Sequence, residues 1–187
     1  LHAKSINNMK ARNIFQKVTS KIIDTEDGNL KNIDITVEEK ATGEILVGAG
    51  VGSEGGTAQF SIAENNFLGK GVKLSTGLRI SETRLRGNFT VTNPNFNYSD
   101  KALTTDFFLT DTDKLSDSGY KSTNAGFSLG TAFEQYDDLF FRPTIRTTYE
   151  DLTTNSSASA NLKKQQGSYF TTDFGYVFDL DKRNQRF

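Results

Sequence analysis

Cysteine and tryptophan are absent from the 187 residues, and only two prolines, one histidine and one methionine occur. Without cysteine there are no disulfides and no thiolate metal sites, although this is silent on redox compartment. The lone histidine, His2, would have to serve any Ser-His-Asp triad, and nothing places a nucleophile beside it. The chain is therefore read as non-enzymatic, with no metal and no cofactor. No apolar run approaches the roughly 18 residues of a membrane-spanning helix, and mean hydropathy is -0.52. A transmembrane barrel stays open, because its strands hide their hydrophobicity by alternating. Net charge is -1, from 22 basic and 23 acidic residues, so no electrostatic footprint for nucleic acid is present.

What is plentiful is aromatic residues: 15 Phe and 6 Tyr, a composition that disfavours disorder and suits β structure. A change of character comes at Thr42 to Gly56, TGEILVGAGVGSEGG. Ile45, Val47, Ala49 and Val51 fall on one face of an extended strand, while Glu44, Leu46, Gly48, Gly50 and Gly52 fall on the other. Four apolar side chains thus oppose almost bare backbone. Glycine loses more entropy on ordering and offers nothing to pack, so this strand is expected to be easily unpaired or closely approached by another backbone.

Before it, Leu1 to Gln16 has helical spacing of Leu1, Ile6, Met9, Ile14 and Phe15, and His2 is expected to be exposed on that helix. Strand patterns follow at Val18 to Asp24 and Asn32 to Glu39, joined by a turn at Asp27-Gly28. A helix on one hairpin is too small to be stable alone, so these residues are expected to end a small α+β domain. The chain starts at Leu1 with neither Met nor signal peptide, which reads as a processed or excised piece.

From Glu44 onward the period is two. Seven further strands are expected: Thr57 to Ala63, Val72 to Ile80, Arg84 to Val91, Leu103 to Leu109, Ala125 to Phe133, one grouping Phe141, Ile145 and Tyr149, and one grouping Phe170, Phe174, Tyr176 and Phe178. Pro143, on the apolar side, predicts a bulge or a strand end. Alternate connections stay short, ENNFLGKG, NPNFNYSD and EQYDD, while the others grow into polar loops from Asp111 and from Asp151. That asymmetry is the habit of outer-membrane barrels, yet a soluble sandwich also alternates. Periodicity leaves both open.

Asn66, Leu68, Gly69 and Gly71, in NFLGKG, read as a structural turn with Phe67 and Leu68 packed at its rim. It is not a phosphate loop, since the glycine spacing and the strand-to-helix context are missing. Asn93, Pro94 and Phe96 read as a turn ending a strand. Asp111, Asp113 and Asp117 lack the central Gly and terminal Glu of a calcium loop and read as a solvated loop. Arg79, Arg84 and Arg86 fall on polar faces, lining a charged lumen or merely solvated within it.

The stretch EEKATGEILVGAGVGSEGGTAQFSIAENNFLGKGVKLSTGL and the following RGNFTVTNPNF closely resemble the domain junction of the BamA family of POTRA-plus-barrel outer-membrane insertases (bacterial surface antigen type). The N-x-L-G-x-G pattern at Asn66 to Gly71 and T-N-P-x-F at Thr92 to Phe96 carry it, strongest from Glu38 to Phe96. LHAKSINNMKARNIF resembles the second helix of the last POTRA domain, and FDLDKRNQRF resembles the stretch after the eighth strand. The resemblance implies a mainly β chain: residues 1–41 the C-terminal part of a POTRA domain, and 42–187 the N-terminal half, about eight antiparallel strands, of a transmembrane β-barrel. The family barrel has about sixteen strands and a V-R-G-F loop not found here, so a fragment is expected. The resemblance further implies assembly of outer-membrane proteins, with unfolded outer-membrane proteins, accessory lipoproteins and outer-membrane lipid as partners, in the bacterial outer membrane with the N-terminal part periplasmic. A secretion pore for a soluble partner and a passive channel are the alternatives. It makes Ile45, Leu46, Val47, Gly48, Ala49, Gly50, Val51 and Gly52 a lateral gate that pairs with an incoming substrate strand.

Overall fold

The computed structural model describes residues 2–26 and 30–182. Leu1, the Asp27-Gly28 turn and residues 183–187, including Arg186 and Phe187, lie outside the described residues. The first unit is a helix, α1 (His2–Ala11), followed by the antiparallel pair β1 (Phe15–Asp24) and β2 (Lys31–Glu39). The helix is shorter than its apolar spacing predicts. Asn13 takes φ of 59° and ends it, a left-handed conformation that Asn tolerates at helix C-termini. Its side-chain oxygen accepts from Lys40 Nζ at 2.6 Å, and Ile14 O accepts from Lys40 N at 3.3 Å, which turns Ile14 and Phe15 into β structure. Ile6, Ile14 and Val18 are buried together between helix and hairpin, but Ile22, Ile33 and Ile35 stay exposed. The unit is a helix on a hairpin rather than a complete α+β domain. His2 is half-buried rather than exposed, and its Nε2 lacks a hydrogen-bond partner.

The remainder is one eight-stranded antiparallel meander: β3 (Gly43–Gly52), β4 (Gly55–Phe67), β5 (Val72–Ser81), β6 (Arg84–Asn93), β7 (Ala102–Lys114), β8 (Tyr120–Tyr136), β9 (Leu139–Thr154) and β10 (Gly167–Leu180), each bonded to its sequence neighbours. All eight expected strands are present. Several run further than their hydrophobic alternation, β8 and β9 reaching 17 and 16 residues. Pro143 causes neither a bulge nor an end. Its ladder to β8 skips residues 131–132 without a register change, while Pro143 stays opposite Tyr176 of β10.

The register sorts the side chains into two faces. One row reads Val47, Phe60, Leu78, Gly87, Leu109, Ala125, Tyr149 and Phe170 from β3 to β10, all apolar or bare. No second sheet covers this face among the described residues; Phe170, Phe174 and Tyr176 are 78, 80 and 71% exposed. A sandwich would bury such a face, whereas an eight-stranded apolar surface in the open is what lipid covers. Neighbouring rings pack along it, Phe141 against Phe178 at 4.8 Å and Tyr149 against Phe170 at 5.0 Å between centroids.

The apolar band also slants. On β3 it centres near residue 48, whose register image on β10 is near 169, but the β10 band centres near 175. A slide of about six residues is roughly 20 Å, across seven spacings of roughly 4.8 Å. The resulting slant of about 30° approaches the tilt of roughly 35–45° that closed barrels need.

The opposite face is polar and joined by side-chain bonds: Thr90 Oγ1 donates to Asp106 at 2.6 Å, Thr92 meets Thr104 at 3.1 Å, and the Arg146 guanidinium lies 4.1 Å from the Phe108 ring centroid. Where the chain continues past the apolar band, the outward face turns polar as well. Asp111 and Asp113 are therefore strand residues of β7, not loop, with Lys121 of β8 3.6 and 3.9 Å from them; Asp117 lies in the turn. The polar stretch from Asp151 likewise narrows to residues 155–166, which hold the short helix α2 (Ala160–Lys164) and fold onto the β7–β8 turn through Asn155 N to Gly119 O at 2.8 Å.

Arginine placed on the two faces should separate them. Phe127→Arg should destabilise the lipid-inserted chain by roughly 2–4 kcal/mol, whereas Ser128→Arg, one residue away on the polar face, should change it far less. Urea titration in phospholipid vesicles measures both.

Candidate functional site

The expected gate strand is observed as β3, an edge strand. It pairs with β4 from Gly43 opposite Glu64 to Gly52 opposite Gly55, and with nothing on its other side among the described residues. In an antiparallel edge strand alternate residues turn their N–H and C=O groups away from the partner, leaving a template for another strand. Ile45, Val47, Ala49 and Val51 lie over Ile62, Phe60, Ala58 and Gly56, so only one face is anchored by side chains. Val47 and Val51 are 76 and 91% exposed.

On the polar face the three glycines differ. A Cβ at Gly48 would stand 3.0 Å from Gln59 Nε2 and 3.1 Å from its Cγ, so the Gln59 side chain lies over this glycine. At Gly50 the nearest atom would be Thr57 Oγ1 at 3.7 Å, and at Gly52 nothing is within 4 Å. Crowding thus explains Gly48 alone. Gly50 and Gly52 leave out cross-strand side-chain pairs worth roughly 0.2–1 kcal/mol each. At the other end of the sheet among the described residues, β10 is built oppositely, with Phe178 stacked on Phe141 and Phe170 tilted against Tyr149 of β9. Leu46 lies on the same face as the glycines, opposite Ser61.

Both tips of β3 are tied down. At its start Thr42 Oγ1 donates to Glu64 Oε1, which also accepts Asn66 N at 2.7 Å, and Asn65 N and Nδ2 both donate to Thr42 O at 3.3 Å. At its end the turn 53–54 is held by Glu54 to Arg84 at 2.6 Å and by Gly56 N donating to Glu82 Oε1 at 3.2 Å. The glycines occupy the stretch between these ties. Nothing in the sequence pattern flagged Glu54, Glu64 or Glu82, because each acts on a strand that only the register brings alongside.

Asn66, Leu68, Gly69 and Gly71 form the β4–β5 turn. Leu68, Gly69 and Gly71 have φ of 55°, 69° and 65°, Lys70 N donates to Phe67 O at 3.2 Å, and Asn66 Oδ1 accepts Gly71 N at 2.7 Å. Leu68 is exposed rather than packed, carried off the sheet by its left-handed conformation, while Phe67 stays in β4 opposite Val72, 41% exposed. Asn93, Pro94 and Phe96 end β6 as expected: Asn93 Oδ1 accepts Asn95 N at 3.0 Å, and Phe96 N donates to Lys101 O at 2.8 Å. Both turns lie at the end of the sheet where residues 40–42 join it from the hairpin unit.

The Omp85 superfamily domain matches residues 66–187, a segment that leaves β3 and most of β4 outside it. Comparison with curated proteins finds no match. Among solved structures, the crystal structure of BamA from Haemophilus ducreyi lacking POTRA domains 1-3 is similar, with a TM-score of 0.70 at 19% sequence identity. The likeness covers 100% of this chain and 39% of that one, and at this identity it is a likeness of fold.

The turn geometry yields a test. Leu68→Gly should raise stability by about 1 kcal/mol by relieving a left-handed branched residue, and Gly69→Val should lower it by about 1–2 kcal/mol; equilibrium unfolding of the two variants in detergent micelles checks the opposite signs.

Proposed function

The chain belongs to the Omp85 superfamily, and from that membership we propose that it works in the assembly of outer-membrane proteins, its first barrel strand offering the pairing edge. The observation that carries this is the difference between the outermost strands of the described sheet: β3 has Gly48, Gly50 and Gly52 on one face, with nothing packed closely over the last two, while β10 packs aromatic rings on β9. An unfolded outer-membrane protein would add a strand to residues 45–52 by main-chain hydrogen bonds, as extended peptides do at exposed sheet edges. Because those bonds are made by backbone, one template serves many sequences. Pairing at the edge lowers the cost of taking unpaired N–H and C=O groups into hydrocarbon. The reaction is one of binding and folding, with no covalent step, cofactor or metal.

In this reading the chain sits in the bacterial outer membrane among outer-membrane lipids. Residues 1–41 are the end of a POTRA domain in the periplasm, supported by α1 and the β1–β2 hairpin joining the sheet at its short-turn end. The exposed edges of β1 and β2 there would receive unfolded chains or accessory lipoproteins. The chain spans 39% of the length of the Haemophilus ducreyi chain.

The test is substitution of Gly48 and Gly50 together by Val in cells that depend on this protein for barrel assembly. A Cβ at Gly50 meets nothing nearer than Thr57 Oγ1 at 3.7 Å, and at Gly48 it meets only the flexible Gln59 side chain. Folded outer-membrane barrels should fall several-fold while the variant itself is inserted normally, as read by heat-shifted gel mobility. Unchanged barrel levels with a correctly inserted variant would contradict the proposal.

A further inference from the structure

The polar face carries a second feature, independent of the assembly role and resting on the sheet geometry alone. Arg79 of β5 and Arg86 of β6 are directly opposite one another in register. Like charges so placed repel. Their neighbours in the same row, Gln59 of β4 and Thr110 of β7, are neutral and give no compensation. Arg84, two residues from Arg86 along β6, faces the same groove, a cavity of about 210 Å³ lined by Glu54, Arg79, Ser81, Arg84 and Arg86.

Among the described residues one carboxylate, Glu54, lines it. Glu54 pairs with Arg84 at 2.6 Å, and Arg84 Nε also donates to Thr112 Oγ1 at 3.4 Å. The other acid of the two adjoining turns, Glu82, accepts from Gly56 N and does not line the groove. Arg79 and Arg86 have no ion-pair partner among the described residues. Three guanidinium groups therefore converge with one counter-charge.

We propose that this groove is a phosphate site. A carboxylate offers two oxygens, and Glu54 already fills that role for Arg84. A tetrahedral phosphate, free or as a monoester headgroup, presents three acceptor oxygens to three forked donors, the pairing for which guanidinium geometry is suited. The three guanidinium groups around the groove give it a positive potential that attracts an anion. Phosphate would relieve the Arg79–Arg86 repulsion and compete with Glu54 for Arg84, freeing the tip of the β3–β4 hairpin from β6.

The competition gives the test its sign. With the full chain folded in zwitterionic detergent micelles, inorganic phosphate titrated by calorimetry should bind saturably at about millimolar Kd. Arg79→Gln and Arg86→Gln should each weaken binding about tenfold, Glu54→Gln should tighten it several-fold, and Arg142→Gln, whose partner on the same face is Asp179 at 2.9 Å, should leave it unchanged. A gain on removing Glu54 cannot come from misfolding. Short-chain phosphatidic acid in place of phosphate separates the sources: tighter binding than phosphate assigns a lipid headgroup, and equal or weaker binding assigns the free ion. Unsaturable binding, an Arg142→Gln loss equal to the others, or no gain in Glu54→Gln would overturn the site.

Discussion

The structure depends on one constraint: every backbone N–H and C=O placed in hydrocarbon must find a partner inside the protein. An antiparallel meander with an uncovered apolar face meets it everywhere in the described sheet except at its outermost strands. The apolar rows from β3 to β10, their slant and the ring pairs of β9 and β10 all follow from placing that face in lipid. How each outermost strand is built decides what the sheet can do.

At β3 the sequence withholds side chains from one face and concentrates hydrogen bonds at the tips. Glu64 gathers Thr42 and Asn66 at one end, and Glu54 and Glu82 hold the other through Arg84 and Gly56. A strand pinned at its ends with glycines in its middle keeps its register, which suits the partner exchange proposed for it. Register matters because a slip by one residue would carry Ile45, Val47 and Val51 to the polar face. The same economy explains the turn at Asn66, where one side-chain oxygen closes a loop of three left-handed residues.

Much of this was legible beforehand for a physical reason. Alternation reports which face is wet, so all eight barrel strands and their two faces could be read from Ile45 to Phe178. Strand ends could not, because above the lipid band both faces of β7 and β8 are polar and the alternation at Asp111 and Lys121 vanishes although pairing continues. Helical spacing overran at Ile14 and Phe15, since the left-handed Asn13 and its bonds to Lys40 depend on a residue 27 positions away. Pro143 misled because the missing N–H is absorbed as a local gap in one ladder. At the candidate site the glycines of β3 were visible, but the carboxylates that pin its tips and the opposition of Arg79 to Arg86 exist only once the register is known.

The central claim is that β3 is an exchangeable edge. The most direct measurement is amide hydrogen exchange of the lipid-reconstituted chain with and without an unfolded outer-membrane barrel polypeptide. The account predicts that, within the barrel strands, the N–H groups of residues 45–52 that turn away from β4 exchange fast and those of β7 to β9 slowly, with protection gained at 45–52 when the polypeptide is added. Slow exchange of β3 at the outset, unaltered by the polypeptide, would contradict it.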